Sequence, residues 1–562
     1  MNLIFLEITA VLVLATALGI LARALRQPTL LGYIATGVIV GPLGVLHLDN
    51  AAILDALAQF GIAFLLFLVG MEMNFRELRH VGRSAVLIGA GQVLFTSAVG
   101  FGLATVLGFG FLPASYIAIT LTFSSTIIVI KLLSEKKALE SLYGKLVVGV
   151  LLVQDFVALG VLIVLSGLSG PDIGAAHLPM ALLGAFVKGT ALLAFSLLIG
   201  RYVMPKLLHR LAGSQEVLFL ASLAWGLGMA ALASMPSVGL TIEIGAFMAG
   251  LALSGSVEHF QIMSRVKALR DFFAVMFFIV LGSKLVLTGM GALWLPTAIL
   301  SAFVLVGNPL IVMLLMGSLG YRSRTSFMAA ITVAQISEFG LIVVTLGRRL
   351  GHISEDVVSI VTAVGLITIA VSSYMILHSE AIYEGLAPML KMFEFGAKDE
   401  KREVSKALKG HVVLIGCHRM GQNILRSLES LHKEFLVIDF NPDVIAKLHR
   451  RGLRAYYGDI ADPDIQNLAC LDAARAVIST VPSSQDSTIL LERMKSKRAK
   501  TKVVVTAETE DEAVALYERG ADYVLLPHFV GGLQIARLLE EDKTLKSLAA
   551  LREEDLALIL HG

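Results

Sequence analysis

From residue 3 to about residue 377 the chain is a succession of apolar runs separated by short charged turns. A helix needs roughly 20 mainly apolar residues to cross the hydrocarbon of a bilayer. The runs predict 13 spans, at 3–24, 28–46, 52–70, 84–107, 114–133, 144–168, 179–205, 215–234, 238–254, 269–287, 291–318, 325–347 and 354–378. Two of them contain polar interruptions. The fifth holds Thr120-Leu-Thr-Phe-Ser-Ser-Thr126 and the twelfth holds Thr332-Val-Ala-Gln-Ile-Ser-Glu-Phe-Gly340. Clustered hydroxyls and a mid-run Glu338 fit helices that unwind near the midplane. Broken helices at similar positions in the two halves of a chain are the pattern of inverted repeats. For any single Ser or Thr, the alternative is a hydroxyl bonded back to its own helix.

The pattern changes past residue 378. A charged linker over 379–409, with Lys398-Asp-Glu-Lys-Arg-Glu403 as a solvated face, leads to short apolar runs of strand type. Val412–Ile415 reads as a buried strand, and Gly416-Cys-His-Arg-Met-Gly421 opens a helix. Phe435–Ile438 is a second strand ending in Asp439, and later strands are expected at 476–479, 503–506 and 523–526. Strands alternating with helices predict a parallel, doubly wound sheet. The expected domains are therefore a membrane domain over 1–378, a linker over 379–409, a Rossmann-like domain over 410–535 and a helical tail over 536–562. Asp439 lies 18 residues past Gly421, at a distance where an acid bonds ribose hydroxyls. The backbone N–H groups at Arg419 and Met420 are placed for a phosphate. His418 stands where G-x-G-x-x-G has the glycine that lets a pyrophosphate approach. AMP or ATP is accordingly expected in preference to NAD(H).

Composition separates the two parts further. Hydrophobic residues make up 56% of the 562 and charged residues 16%, where soluble chains carry nearer about 25% charge. A net charge of +2 gives no electrostatic footprint for nucleic acid. The two cysteines, Cys417 and Cys470, both fall in the second part, which suits a reducing cytosol. Arg23 and Arg26 follow the first apolar run instead of preceding it, so that run is read as a span and not as a cleaved leader. With the N-terminus outside, the cytoplasmic loops hold 17 Lys or Arg, and the outer loops hold at most Lys188, Lys284, Arg348 and Arg349. The positive-inside rule supports this orientation and places the soluble part in the cytoplasm.

A bundle of this kind is a channel, a transporter or a membrane enzyme. The spans contain no H-E-x-x-H or G-x-S-x-G motif and no T-V-G-Y-G-like filter. What they contain is Gln154-Asp155 in the middle of an apolar run. A carboxylate there is costly unless it works, and it can exchange a proton for a cation. Neighbouring hydroxyls and freed carbonyls would complete an oxygen shell. Glu338 is either a ligand or an internal partner of the broken backbone, and Glu243 reads as structural.

Several of these segments resemble the Kef-type branch of the cation:proton antiporters. They are Phe60-Gly-Ile-Ala-Phe-Leu-Leu-Phe-Leu-Val-Gly-Met-Glu-Met73, Phe123-Ser-Ser-Thr126, Val153-Gln-Asp155, Gly245-Ala-Phe-Met-Ala-Gly250 and Gln335-Ile-Ser-Glu-Phe339. The cytoplasmic part, through Gly458-Asp459 and Gly520-Ala-Asp-Tyr-Val524, resembles the nucleotide-binding regulators called TrkA-N or RCK domains. The resemblance implies an α-helical polytopic membrane protein with 13 spans, inverted repeats and two broken crossover helices, followed by an α/β Rossmann-like cytoplasmic domain. It implies an inner-membrane homodimer that moves its ion by an elevator motion, with potassium or sodium exchanged for protons. Asp155 would bind ion and proton. Gln154 would replace the first acid of electrogenic relatives, and Ser124, Ser125 and Thr126 would line the crossover. Asn308 stands where many relatives have a Lys, and Gln335 and Glu338 complete the expected site. With Gln154 and Asn308 both neutral, one acid titrates per cycle and exchange would be electroneutral. Asp459 joins Asp439 on the nucleotide side. Glutathione-gated relatives carry an acidic gate in the ninth loop, whereas Glu258–Asp271 here is mainly basic.

Overall fold

The computed structural model describes residues 3–43, 51–72, 82–139, 141–167, 178–211, 214–235, 238–256, 259–285, 290–395, 408–417, 419–431, 434–497, 500–541 and 552. The chain forms two compact units. One comprises 1–129, 146–315 and 330–382, and the other comprises 130–145, 316–329 and 383–562.

The helices of the first part are α1 (Leu3–Ala24), α2 (Thr29–Val40), α3 (Ala51–Glu72), α4 (Arg83–Val106), α5 (Phe111–Thr120), α6 (Thr126–Glu135), α7 (Leu142–Gly167), α8 (Leu178–Tyr202) and α9 (Met204–Leu211). They continue as α10 (Gln215–Ser234), α11 (Ile242–Leu253), α12 (His259–Ser283), α13 (Met290–Ala302), α14 (Asn308–Ser318), α15 (Ser323–Thr332), α16 (Glu338–Arg349), α17 (Glu355–Leu377) and α18 (Ser379–Leu390). Among the described residues, seven helical stretches are long and apolar enough to cross a membrane, and α2, α5 and α11 are shorter apolar helices. Helix α3 is central, with 61% of its apolar window buried, against 22% for α1. Its Gly70 meets the Phe247 carbonyl of α11, and Gly250 of α11 meets the Phe67 carbonyl in return. A Cβ at either position would strike backbone, so the pair sets how closely these helices approach. The outer helices α1 and α4 leave Ile20 and Leu94 exposed, the arrangement that a hydrocarbon solvent tolerates.

The expected fifth and twelfth runs are each broken, between α5 and α6 at 121–125 and between α15 and α16 at 333–337. The expected ninth loop is a correction. From His259 this stretch is already helix α12, about ten residues ahead of the expected span. Its basic residues Arg265 and Lys267 face outward while Ile262 and Val266 are buried. This is amphipathic spacing, which the density of charge had disguised as a loop; Glu258 lies outside the described residues. A further irregularity, unannounced by the sequence, is a π-helical turn at Phe303–Gly307 between α13 and α14.

In the second unit the strands are β1 (Val412–Ile415), β2 (Phe435–Asp439), β3 (Ala455–Tyr457), β4 (Ala476–Ser479), β5 (Lys502–Thr506) and β6 (Tyr523–Leu525). They form one sheet of order β3-β2-β1-β4-β5-β6 with every pairing parallel, the doubly wound order of dinucleotide folds. Side chains alternate across a strand. Val413 and Ile415 enter one core with Leu436, Val477 and Val503, and Val412 and Leu414 enter the other with Val437 and Ile445. Both faces being covered is why β1 reads as an unbroken apolar run. Only β3, three residues long and partly exposed, had no clear strand signal. The covering helices are α19 (Arg419–Ser430), α20 (Pro442–Arg450), α21 (Pro463–Leu468), α22 (Ser484–Ser496), α23 (Glu510–Glu518) and α24 (Pro527–Glu541). Helix α24 runs across the expected boundary at 535. The charged cluster 398–403 and most of the expected tail lie outside the described residues.

Candidate functional site

A broken helix strands backbone donors and acceptors, and stranded groups in an apolar interior must find partners. Here the two breaks meet. The Ser337 N–H donates to the Phe123 carbonyl at 2.8 Å, and the Ser124 hydroxyl donates to the Val333 carbonyl at 2.8 Å. Side chains from other helices take four further groups. Asn308 Nδ2 donates to the Leu121 carbonyl at 3.0 Å, and Gln92 Nε2 donates to the Thr122 carbonyl at 3.1 Å. The Ser124 N–H donates to Gln154 Oε1 at 2.9 Å, and the Ile336 N–H reaches Thr368 Oγ1 at 3.4 Å. Gly340 brings α16 against Thr120, whose Cγ2 would lie 2.6 Å from an added Cβ.

Three consecutive residues at the first break each meet a different expected site residue. Ser124 bonds Gln154. Ser125 hydrogen-bonds Glu338 and accepts the Ile128 N–H at 3.3 Å. Thr126 Oγ1 lies 3.1 Å from Asp155 Oδ2 and 3.3 Å from Oδ1. Gln154, Ser124, Ser125, Glu338, Gln335 and Asn308 are buried, and Asp155 and Thr126 are partly exposed. A half-open carboxylate beside a hydroxyl oxygen is the chemistry a hard monovalent cation requires. By contrast, Gln154 and Asn308 hold broken backbone in this conformation. Gln335 Oε1 accepts from Ser372 at 2.9 Å. Asn308 Oδ1 and Gln335 Nε2 are buried without a hydrogen-bond partner among the described residues.

Glu243 has a partner on the last turn of α16, Arg349, at 3.2 Å. Near it, Asp55, Lys284, Arg348, Arg349 and Glu355 line a cavity of about 220 Å³. Reading the sequence missed Gln92, Thr368 and Ser372 as members of the break network. Gln92 did carry a signal, as the one long polar side chain inside the apolar run of α4.

At the sheet, Gly416 has φ +80°, a left-handed turn that favours glycine, and a Cβ on Gly421 would strike the Gly416 carbonyl. Thr480 Oγ1 donates to that carbonyl at 3.0 Å. Asp439 binds the turn from below, with Oδ2 accepting the Cys417 N–H at 2.7 Å and Oδ1 accepting the Asn441 N–H at 2.8 Å. Each oxygen keeps a second lone pair for a ligand hydroxyl. Burial, with the Asp439 charge beside it, pushes the Cys417 thiol up to about 11. Gly416, Asp439, Phe440, Gly458, Asp459 and Asp486 line one cleft, together with Leu142. Met420 is partly buried in the first turn of α19. The His418 residue and the Arg419 side chain lie outside the described residues.

Comparison with known proteins bears on both units. Residues 10–377 match the family model for the transmembrane sodium/hydrogen exchanger domain, and residues 412–527 match the TrkA-N domain. YbaL of Escherichia coli (strain K12), a candidate cation/proton antiporter, is 28% identical over 538 residues, covering 94% of this chain and 95% of its own. The glutathione-regulated potassium-efflux system protein KefC of Enterobacter sp. (strain 638) is 26% identical over 561 residues, covering 98% and 87%. Among solved structures, the sodium proton antiporter MjNhaP1 of Methanocaldococcus jannaschii at pH 8 shares the fold. It superposes with a TM-score of 0.51 at 17% identity, covering 69% of this chain and 98% of its own. The interrupted helices around Asp155 and the parallel nucleotide-type sheet thus belong to one chain architecture, and the protein is a member of the sodium/hydrogen exchanger family with a C-terminal TrkA-N domain.

Proposed function

We propose that the protein exchanges potassium or sodium for protons, one for one, across the inner membrane, with Asp155 carrying cation and proton in turn. The observation that supports it most is Asp155 set beside Thr126 at the helix break, next to a neutral Gln154. Deprotonated, the carboxylate attracts a cation, and protonated it releases it. Thr126 and the oxygen left over on Asn308 are candidates for the rest of the shell. Glu338, tied to Ser125, serves the broken backbone or the ion. Potassium is favoured by the likeness to KefC, which acts in potassium efflux by its name. The reading includes 13 spans in inverted repeats, an elevator motion of the crossover helices, a homodimer and an outer N-terminus. The TrkA-N domain, a nucleotide-binding regulator, would gate exchange with AMP or ATP in preference to NAD(H). The test is cation-dependent proton flux in proteoliposomes, with potassium and sodium supplied separately. A proton flux that either cation drives supports the reading; a flux that neither changes would end it.

A further inference from the structure

We infer that Gln92 is a positioning residue for the ion site: it holds the crossing backbone and Gln154 in register beside Asp155. The inference rests on the exchange reading above. Gln92 lies in the middle of α4, far in sequence from the site, and is fully buried. Gly89, one turn earlier, brings α4 onto α7, where an added Cβ would sit 2.9 Å from Val153 Cβ. That close approach sets Gln92 opposite Gln154.

The hydrogen bonds form one directed chain. It starts at a backbone N–H of the break, Ser124, which can only donate, and reaches Gln154 Oε1 at 2.9 Å. Gln154 Nε2 donates to Gln92 Oε1 at 2.8 Å. Gln92 Nε2 then donates to the Thr122 carbonyl at 3.1 Å, a group that can only accept, and also lies 3.3 Å from Thr96 Oγ1. Both ends are fixed by backbone chemistry, so each amide has one permitted orientation. An ionised carboxylate fits neither position. At 92 it has no proton for the Thr122 carbonyl, and at 154 it has none for Gln92 Oε1. Because Thr122 and Ser124 sit in the break that leads directly into Thr126, the chain sets the height of the Thr126 hydroxyl against the Asp155 carboxylate. Losing it displaces a cation ligand while leaving the Asp155 carboxylate in place.

Two variants separate this role from simple packing. Gln92→Met keeps the volume and removes every hydrogen bond. Gln92→Glu keeps the donor to Thr122 only while its carboxyl is protonated. Both are purified whole, checked for monodispersity, and assayed in proteoliposomes for cation KM and maximal rate across pH, each relative to wild type at the same pH. Gln92→Met should raise the cation KM by about tenfold or more at every pH, since the buried Thr122 carbonyl and the Gln154 amide lose their partner. Gln92→Glu should show a near-wild-type KM at low pH. It should climb toward the Gln92→Met value as pH rises and its carboxyl ionises. A Gln92→Met protein with wild-type KM, or a Gln92→Glu ratio that is flat with pH, would overturn the inference. So would a Gln92→Met protein that is misassembled while Gln92→Glu stays assembled with a flat ratio. If wild type itself shows no cation-dependent flux, the exchange reading fails first and takes this inference with it.

Discussion

At the scale of single residues, the sequence exposed polar groups whose cost in an apolar run demands a reason. Asp155, Gln154 and the Ser124–Thr126 triplet are of that kind, and the structure brings all five to one place. The direction of a side chain's hydrogen bonds was not readable, so the hold of Gln154 and Asn308 on broken backbone became visible only in the fold. Asp462 is a second residue whose behaviour only the fold discloses. Burial raises its carboxyl to about 6, with Arg322 opposing and Asp464 and Asp459 adding to the rise. A raised acid binds more protons in the folded state than in the unfolded one between the ordinary carboxylate range and pH 6. Its contribution to stability is therefore fully present below about pH 4 and is lost as pH rises to about 6, by up to about 3 kcal/mol. Asp462 also caps α21 through the Asp464 N–H at 2.8 Å, a bond that Asn can keep. Asp462→Asn should therefore gain stability relative to wild type between pH 4.5 and pH 7.5. Unfolding curves at the two pH values check this, and an unchanged difference between them would contradict it.

At the scale of elements, apolar runs and their interruptions fixed most helices to within a few residues, because length and hydropathy are local properties. The miss at His259 came from reading charge density in place of spacing, and the miss at β3 from a strand too short to show a period. The π-helical turn has no sequence signature, and it immediately precedes Asn308, whose amide donates to the Leu121 carbonyl. The contact between the breaks makes its own prediction. Gly340→Ala places a methyl against Thr120 Cγ2 and should force α16 away from α5, lowering exchange several-fold. Thr120→Ser removes that Cγ2 and should restore much of the loss in the double variant, because the next atom, the Thr120 carbonyl oxygen, is at 3.1 Å. Proton flux from the two single variants and the double one tests this; strictly additive effects would show that the two residues do not meet in the working protein.

At the scale of the whole molecule, the family assignment joins an exchanger domain to a nucleotide-binding regulator in one chain. The second unit also takes in residues 130–145 and 316–329. Within it Lys137 pairs with Glu512 at 3.0 Å and Lys145 lies 5.4 Å from the centre of the Phe440 ring. The boundary at 378 read from composition marks a change of solvent, whereas compactness follows contacts. For the cleft, titration calorimetry of the purified protein is expected to give tighter binding of AMP or ATP than of NAD(H). Tighter NAD(H) binding would show that His418 does not obstruct a second phosphate. The most direct measurement overall compares wild type with Asp155→Asn in proteoliposomes whose membrane potential is clamped. Wild type should exchange cation for proton at a rate indifferent to the clamped potential, and Asp155→Asn, properly assembled, should show none. Exchange by Asp155→Asn at the wild-type rate would contradict the assignment of Asp155 as the carrier, and net flux driven by potential alone would contradict one-for-one exchange.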